Sequence, residues 1–306
     1  MSIFDQDLGA VQQESLENKD KKGSGATGER YFTIPKKADG SPYEMLKLEV
    51  GANKFDILPF MYAGGIIPCG VAGKLSYKLD VDVYKNIGPS QSDILSLKQL
   101  MKNDPIANEL SNLYNAQKDL TSQEAKDKFY DEKIKPLRAK RRCMYVVLHH
   151  QPDGKKVPKL FETSHFKFEK ALQDAIELEA AKGVNVGIFS SPINGSSILV
   201  MGKEGSFGGH KYTDIASVSF VPRAKQLAKD EASGMKLLDT IPKLDSCLNV
   251  KTPEEVEVLY YGASLSQPEP EEEKLTISPT EEMFNTPEEE EETIVDDSDD
   301  DDDFQF

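Results

Sequence analysis

The chain has 306 residues, of which 38% are hydrophobic and 29% are charged, and its formal net charge is −16. This length suffices for one large domain or two small ones, and three scattered cysteines without a CxxC pair argue against a disulfide framework and exclude a four-cysteine zinc site. The sequence shows no stretch of about eighteen apolar residues and no signal-peptide pattern, which argues against membrane spanning and secretion and favours a reducing, intracellular location.

The first part of the chain predicts a flexible arm followed by strands. Residues 1–28 are polar and are predicted to form the arm. From Tyr31 onward, the runs YFTIPK, MLKLEV and KFDILPFMYA are short, apolar or alternating, and separated by Gly, Pro and Asn, which is typical of strands. KLSYKLDVDVY alternates over residues 75–83 and predicts a half-buried strand.

Residues 91–130 change to helical spacing. Apolar residues recur at intervals of three and four, which predicts two helices. Ser92 or Asp93 can cap the first helix, and Asp104 can cap the second, with Pro105 at its first position. This region is therefore predicted to be a helical insertion between strands.

Strands return after this insertion. CMYVVLHHQ and KLFETSHFKF are predicted to form a hairpin around Pro152-Asp153-Gly154. FEKALQDAIELEAAKG predicts a helix ending at Gly183. Strands over 184–192 and 196–205 are predicted to turn at Asn194-Gly195, a last strand ends near Arg223, and residues 224–262 are predicted to be a helical extension.

This order of elements predicts a mainly β protein with helical insertions, in the α+β class. We expect residues 29–223 to form an OB-type core, a small closed barrel of five strands. A mixed α+β sandwich is the structural alternative.

The central segment is strongly basic. Residues 133–170 contain eleven Lys or Arg and three acidic residues, a local charge of +8, with Tyr145, Phe161, Phe166 and Phe168 interleaved. Cations neutralise phosphates and aromatic rings stack on unpaired bases, so the combination favours a groove for single-stranded nucleic acid over a duplex reader. The alternative interpretation is a solvated, charged strand edge that protects against aggregation.

Three pieces of the sequence carry a resemblance to a known family. They are KFDILPF, then PLRAKRRCMYVVLHHQPDGKKVPKLFETSHFKFEKALQDAI, then SSILVMGKEGSFGGHKYTDIASVSFVPR. In this order, and followed by an acidic tail, they resemble the helix-destabilising single-stranded-DNA-binding proteins of tailed bacteriophages over most of residues 45–223. The resemblance implies an OB-fold core that coats DNA during phage replication, recombination and repair in the host cytoplasm.

The resemblance also implies site residues. The basic lead-in corresponds to Arg138, Lys140, Arg141 and Arg142, which would contact phosphates, with the aromatic Tyr145 beside them. The further candidates from the basic segment, the Gly-rich loop and the weaker stacking positions are Phe60, Tyr84, Lys155, Lys156, Phe166, Lys167, Phe168, Phe207, Lys211 and Tyr212.

Neither a metal site nor catalysis is expected. Many family members have a zinc-binding Cys/His cluster in the region that corresponds to the helical insertion, but residues 86–130 contain no Cys or His, so a zinc-less variant without cofactors is predicted. No nucleophile elbow, kinase motif, Walker motif or HExxH is present, so we expect a non-enzymatic protein. A nuclease is the weakest of the alternatives.

The C-terminal segment holds the acidity of the whole chain. Residues 268–306 carry 18 acidic side chains and one lysine, a charge of −17, so residues 1–267 together carry +1. The tail over 263–306 is predicted to be disordered, because it cannot bury enough apolar surface to fold. It ends in five aspartates, Asp299, Asp300, Asp301, Asp302 and Asp303, followed by Phe304, Gln305 and Phe306.

Such an ending resembles the partner-binding tails of single-strand binders. It is expected to recruit replisome proteins, such as a polymerase, a helicase or primase loader, or a recombination mediator, and to compete with DNA for the basic groove. Self-association along DNA is a further expectation. The alternative from another class is an acidic-tailed interaction or assembly protein, a scaffold or a chaperone of basic partners, whose core is only a platform.

Overall fold

A computed structural model describes residues 28–68, 70–184, 189–207 and 209–262, with only the backbone described for Phe207 and His210. The predicted arm before Gly28, Cys69 and the predicted tail over 263–306 lie outside these residues. The strands are β1 Glu44–Met45, β2 Gly51–Leu58, β3 Phe60–Met61, β4 Leu75–Ser76, β5 Leu79–Ile87, β6 Ser92–Leu95, β7 Lys140–His150, β8 Lys156–Ser164, β9 Ser196–Phe207 and β10 His210–Pro222. The α-helices are α1 Pro105–Lys118, α2 Gln123–Phe129, α3 Lys170–Ala181, α4 Glu231–Leu238 and α5 Pro253–Tyr261.

Strand β7 organises the main sheet. The strand order is β1-β8-β7-β2-β9-β10, and β5, which also pairs with β6, joins β7 beside β2. The first half of β7 pairs with β5, where Cys143 lies opposite Asp80, and the second half pairs with β2, where Val147 lies opposite Ile57. The sheet therefore branches at β7, because one edge of this strand pairs first with β5 and then with β2.

The closed five-stranded barrel predicted from the sequence is wrong. Among the described strands, β1 and β10 stand at opposite ends of the strand order and do not pair, so the eight-stranded sheet is open. Residues 143–147 of β7 are all buried. Both faces of this strand are therefore covered by other parts of the chain, as in a layered arrangement. The α+β class and the mostly antiparallel sheet are confirmed.

Two hydrophobic clusters cover the two faces of this sheet. Met144 packs in the cluster that includes Ile106 of α1 and Val256 of α5. Tyr145 points to the other cluster, which includes Phe168 and residues of α3. Successive side chains of a strand point to opposite faces, so β7 anchors both clusters at once.

The predicted helical insertion is partly correct. The second predicted helix is α1, in which Pro105 occupies the first turn and the Asp104 carboxylate accepts hydrogen bonds from the amides of Ile106 and Ala107. The first predicted helix is wrong, because Ser92–Leu95 forms β6, which pairs with β5. The apolar spacing there fits a strand as well as a helix, and the pairing partner decides between them.

One of the two predicted hairpins is confirmed. β7 and β8 are antiparallel with His150 opposite Lys156, and Gly154 has the positive φ of 83° that this turn requires. The hairpin predicted at Asn194-Gly195 is not tested as a whole, because residues 185–188 of its first strand lie outside the described residues. The described part turns back on itself there, with the Ser196 amide donating to the Phe189 carbonyl at 2.9 Å. Strand β9 itself pairs with β2 and β10. The FxF segment, predicted as strand, is a π-helical turn over His165–Glu169 that leads into α3.

The stretch 224–262 packs onto the first of the two clusters. Both of its helices, α4 and α5, begin with reciprocal capping boxes, at Asp230 and at Thr252. Leu238, Leu244 and Val256 are buried in the cluster under the sheet. None of the described helices combines the length and the apolar character needed to cross a membrane.

Candidate nucleic-acid interface

The basic segment presents only part of its charge to solvent. Lys140 and Arg141 are exposed at the start of β7 and have no ion-pair partner among the described residues. Arg142 is half-buried, and its Nε donates to Glu162 Oε1 at 2.9 Å. The start of β7 therefore carries two exposed charges that no acid of the described residues neutralises.

A groove of about 640 Å³ lies immediately before these two cations, between β5, the turn after β6, and α1. Arg138 and Lys98 line it, against the single acid Asp82, and Tyr114 of α1 forms part of its wall with 38% of its surface exposed. In the sheet, Arg141 lies opposite Asp82, which lines the groove, and Lys140 lies opposite Val83, so the two exposed cations follow the lining residue Ala139 along the chain but point to opposite faces of β7. We call this surface the β5–α1 groove.

Asp104 fixes the walls of the β5–α1 groove relative to one another. Its Oδ1 caps α1, while its Oδ2 accepts hydrogen bonds from the Tyr84 hydroxyl at 3.0 Å, from Ser96 Oγ at 2.9 Å and from the Lys98 amide at 3.0 Å. Burial raises the pKa of the Tyr84 phenol, and the neighbouring Asp104 charge raises it further, so the hydroxyl remains a donor. Helix α1 is thereby held at a fixed distance from β5.

Burial corrects several of the stacking predictions. Phe60, Tyr145 and Phe168 have no exposed surface, and Tyr84 is 3% exposed. Tyr145 packs against Phe168 at 5.2 Å between ring centroids, and its hydroxyl donates to Glu169 Oε2 at 2.6 Å. A base needs a free ring face, so these aromatics form core and cannot stack on DNA in this structure.

A second, smaller surface does expose aromatic rings. Phe166 is 74% exposed in the turn before α3, and Tyr212 of β10 is 41% exposed. Lys167 Nζ lies 4.7 Å from the centroid of the Tyr212 ring. We call this set the Phe166–Tyr212 patch. The structure brings these three predicted residues together, and the side chain of Phe207 is not described.

The remaining predicted cations are held by acids. Lys155 pairs with Asp153 at 3.3 Å at the exposed hairpin tip, and Lys211 pairs with Glu204 at 2.8 Å across β9 and β10. Lys156 Nζ lies 2.8 Å from the buried Asp56 carboxylate. Separating the exposed pairs costs little free energy, so Lys155 and Lys211 can still bind phosphate. Lys156 compensates the buried Asp56 charge, and moving it to a phosphate would leave that charge unpaired.

Asp56 is the centre of a buried polar network that the sequence did not reveal. Its carboxylate has no exposed surface and contacts Arg223 Nε at 3.1 Å, Ser197 Oγ at 2.6 Å and His150 Nε2 at 2.9 Å. Burial raises the pKa of Asp56, but the hydrogen bonds from Lys156, Ser197 and His150 and the Arg223 charge outweigh it and lower the pKa to about 2. The network ties β2 to β7, β9 and Arg223.

A cluster of three different ligand types lies on the opposite side of β7 from Met144. The Cys143 thiol donates to Asp80 Oδ1 at 2.8 Å, and His165 Nδ1 is 3.5 Å from the sulfur. Burial, and then the Asp80 charge, raise the pKa of the thiol, so it is not an activated nucleophile. The sulfur and Asp80 also contact the same ring nitrogen, which does not allow a catalytic triad.

The β5–α1 groove also contains residues that sequence analysis did not assign to a site. Lys98 and Tyr114 belong to the region predicted as a helical insertion, where the spacing of apolar residues predicts helices but assigns neither residue to a site. The sequence offered one signal for Tyr114: a tyrosine has both an apolar ring and a polar hydroxyl, so on a weakly amphipathic helix it can occupy a partly exposed position. The predicted partner-binding residues Asp299–Asp303, Phe304 and Phe306 lie outside the described residues.

Comparison with family models finds no match for this chain, and comparison with curated proteins finds no similar sequence. The resemblance to phage single-strand binders therefore stays a prediction from the sequence.

Proposed function

We propose that this chain is a non-enzymatic protein that binds single-stranded DNA without sequence preference and coats it during phage DNA replication, recombination and repair. The observation that carries the proposal is the β5–α1 groove. It combines a partly exposed ring, Tyr114, with the cations Lys98 and Arg138, and the exposed Lys140 and Arg141 follow its lining residue Ala139 in the chain. The OB-type core is part of the proposal, in a form whose sheet is open.

The charge and shape of the β5–α1 groove favour a flexible single strand. Phosphates bound by Lys and Arg release counterions, which contributes affinity for any sequence. A base that leaves its stack can lie on Tyr114, and base–aromatic stacking contributes roughly 1–3 kcal/mol per base. Bases in a duplex are already paired and stacked, so a duplex can make only the phosphate contacts with this groove.

The acidic tail has a separate role in this proposal. Its 18 acidic side chains and its terminal Phe304 and Phe306 are suited to a basic, apolar-notched surface on a replication protein. The host-cell cytoplasm is the compartment in which these partners meet.

The test is fluorescence anisotropy with the full chain, a labelled oligothymidylate and a labelled hairpin duplex of equal phosphate number. We expect tighter binding to the single strand, with log K falling by about 0.7 for each tenfold rise in salt per phosphate contact. Equal affinity for poly-pyrimidine and mixed sequences is also expected. Absence of binding to the single strand at low salt would contradict the proposal and favour the assembly protein.

A further inference from the structure

Asp80, Cys143 and His165 meet although they are distant in the sequence. Asp80 and Cys143 are register partners in the β5–β7 pair, and His165 begins the turn that follows β8. Their ligand atoms all lie within 4.8 Å of one another. The cluster therefore has three ligand types, a carboxylate, a thiol and an imidazole, on three separate pieces of backbone.

The separations fit a tetrahedral zinc ion. With Zn–S about 2.3 Å and Zn–N or Zn–O about 2.0–2.2 Å, ligand atoms at tetrahedral angles are about 3.4–3.6 Å apart. The Cys143 sulfur is 3.5 Å from His165 Nδ1, and this nitrogen is 3.8 Å from Asp80 Oδ1. The sulfur-to-oxygen distance of 2.8 Å has to open by less than 1 Å, which a rotation of the half-exposed Asp80 side chain supplies.

The surroundings already orient the ligands. Lys78 Nζ contacts Asp80 Oδ2 at 3.0 Å, which leaves Oδ1 directed at the sulfur and the imidazole. The same ammonium contacts the buried Glu169 at 2.8 Å, so a second carboxylate offsets its charge. Outer hydrogen bonds of this kind fix ligand carboxylates in metal sites.

An ion has a path to the cluster. A pocket of about 340 Å³ is lined by Lys78, His165, Phe166, Glu169, Lys170 and Gln173. The side chains of His165 and Asp80 are 26% and 27% exposed, whereas Cys143 is buried. His165 lines this pocket, so an ion held by the three side chains would have its fourth position open to water from that side.

We infer that Asp80, Cys143 and His165 bind one zinc ion in an open three-ligand site. A mixed thiolate, imidazole and carboxylate set suits Zn²⁺ and not Mg²⁺ or Ca²⁺, which take oxygen ligands. The sequence gives no spacing signal for it, because 63 and 22 residues separate the cysteine from the other two ligands. The ion joins β5, β7 and the turn before α3.

The test is titration of the metal-depleted full chain with Co²⁺ and then Zn²⁺. We expect one equivalent of Co²⁺ with intense tetrahedral absorption and a thiolate charge-transfer band, both displaced by Zn²⁺. Zn²⁺ should also raise the melting temperature. His165→Gln and Asp80→Asn change partly exposed side chains and should weaken the metal affinity by more than about 100-fold, beyond the 10–100-fold typical of losing an outer-shell partner.

Controls separate this site from other ligands in the chain. Cys143→Ser should abolish the charge-transfer band, while Cys69→Ser and Cys247→Ser should leave it unchanged. Acidic groups of the tail contribute only weak binding without a thiolate band, and that binding persists in every variant. If wild type shows no thiolate band, or if His165→Gln and Asp80→Asn bind Co²⁺ as tightly as wild type while melting normally, the inference is overturned.

Discussion

Removing the two exposed cations at the start of β7 tests the electrostatic part of the proposed function. The double variant Lys140→Ala with Arg141→Ala deletes two charges that have no ion-pair partner among the described residues. Neither residue belongs to the described hydrophobic clusters. The β7 backbone pairings with β5 and β8 do not depend on these side chains. The free energy of unfolding should therefore change by less than about 0.5 kcal/mol.

The effect on DNA affinity follows from counterion release. Each lost phosphate contact on a single strand reduces the slope of log K against log salt by about 0.7, so the pair reduces it by about 1.4. At about 0.1 M salt this corresponds to roughly 25-fold weaker binding, or about 2 kcal/mol, relative to a 1 M reference. The loss should be the same for all base sequences, because phosphate contacts carry no sequence information.

The assay is anisotropy titration of a labelled oligothymidylate at several salt concentrations. The matched control is Lys229→Ala with Lys236→Ala, which removes two exposed lysines in and next to α4. Helix α4 packs near Leu148, roughly 26 Å along β7 from Lys140 at 3.3 Å per residue. An unchanged salt slope in the β7 variant, or an equal loss in the α4 control, would contradict phosphate contacts by Lys140 and Arg141.

Three further predictions concern single positions. Tyr114→Ala should weaken single-strand binding by roughly 1–3 kcal/mol with an unchanged salt slope, because it removes the ring on which a base can stack. Tyr114→Phe keeps the ring and should bind like wild type. Equal losses of affinity in both variants would argue against stacking. Phe168→Ala should lower the free energy of unfolding by about 3–5 kcal/mol in denaturant titration, because the ring is buried in the core. A variant with normal stability and weaker DNA binding would instead indicate that Phe168 contacts DNA. Asp56→Asn should cost about 3–5 kcal/mol, because it leaves buried cations uncompensated. In wild type, the pKa of Asp56 in the folded state is about 2, below its ordinary 3.8. The ionised carboxylate therefore contributes roughly 2 kcal/mol to the free energy of unfolding above pH 5, and this contribution is lost as the pH falls toward 2. The Asp56→Asn variant should show a flatter dependence of stability on pH in that range.

Local chemistry made parts of the fold predictable. Asp104 followed by Pro105 marks a helix start, because the aspartate caps free amides and proline needs no donor there. The turn at Gly154 needs a positive φ that glycine adopts without strain. These features depend on neighbours in the sequence, and both are found where they were predicted.

Features that depend on distant partners could not be predicted in this way. Ser92–Leu95 becomes a strand because β5 offers it a pairing edge. Tyr145 and Phe168 are buried because both faces of β7 are covered, and the uninterrupted apolar run after Arg142 was the available signal for that. The site residues near Tyr114 are brought to the β5–α1 groove by the packing of a helix whose position no local pattern fixes.

The most direct test of the account is where a single strand lies on the protein. The full chain should be crosslinked by light to an oligothymidylate containing halogenated uracil, and the attachment sites identified by mass spectrometry of the peptides. We expect attachment at Tyr114 and in the peptide that contains Arg138, Lys140 and Arg141, on both walls of the β5–α1 groove. Attachment confined to the Phe166–Tyr212 patch, with neither groove peptide labelled, would contradict the account.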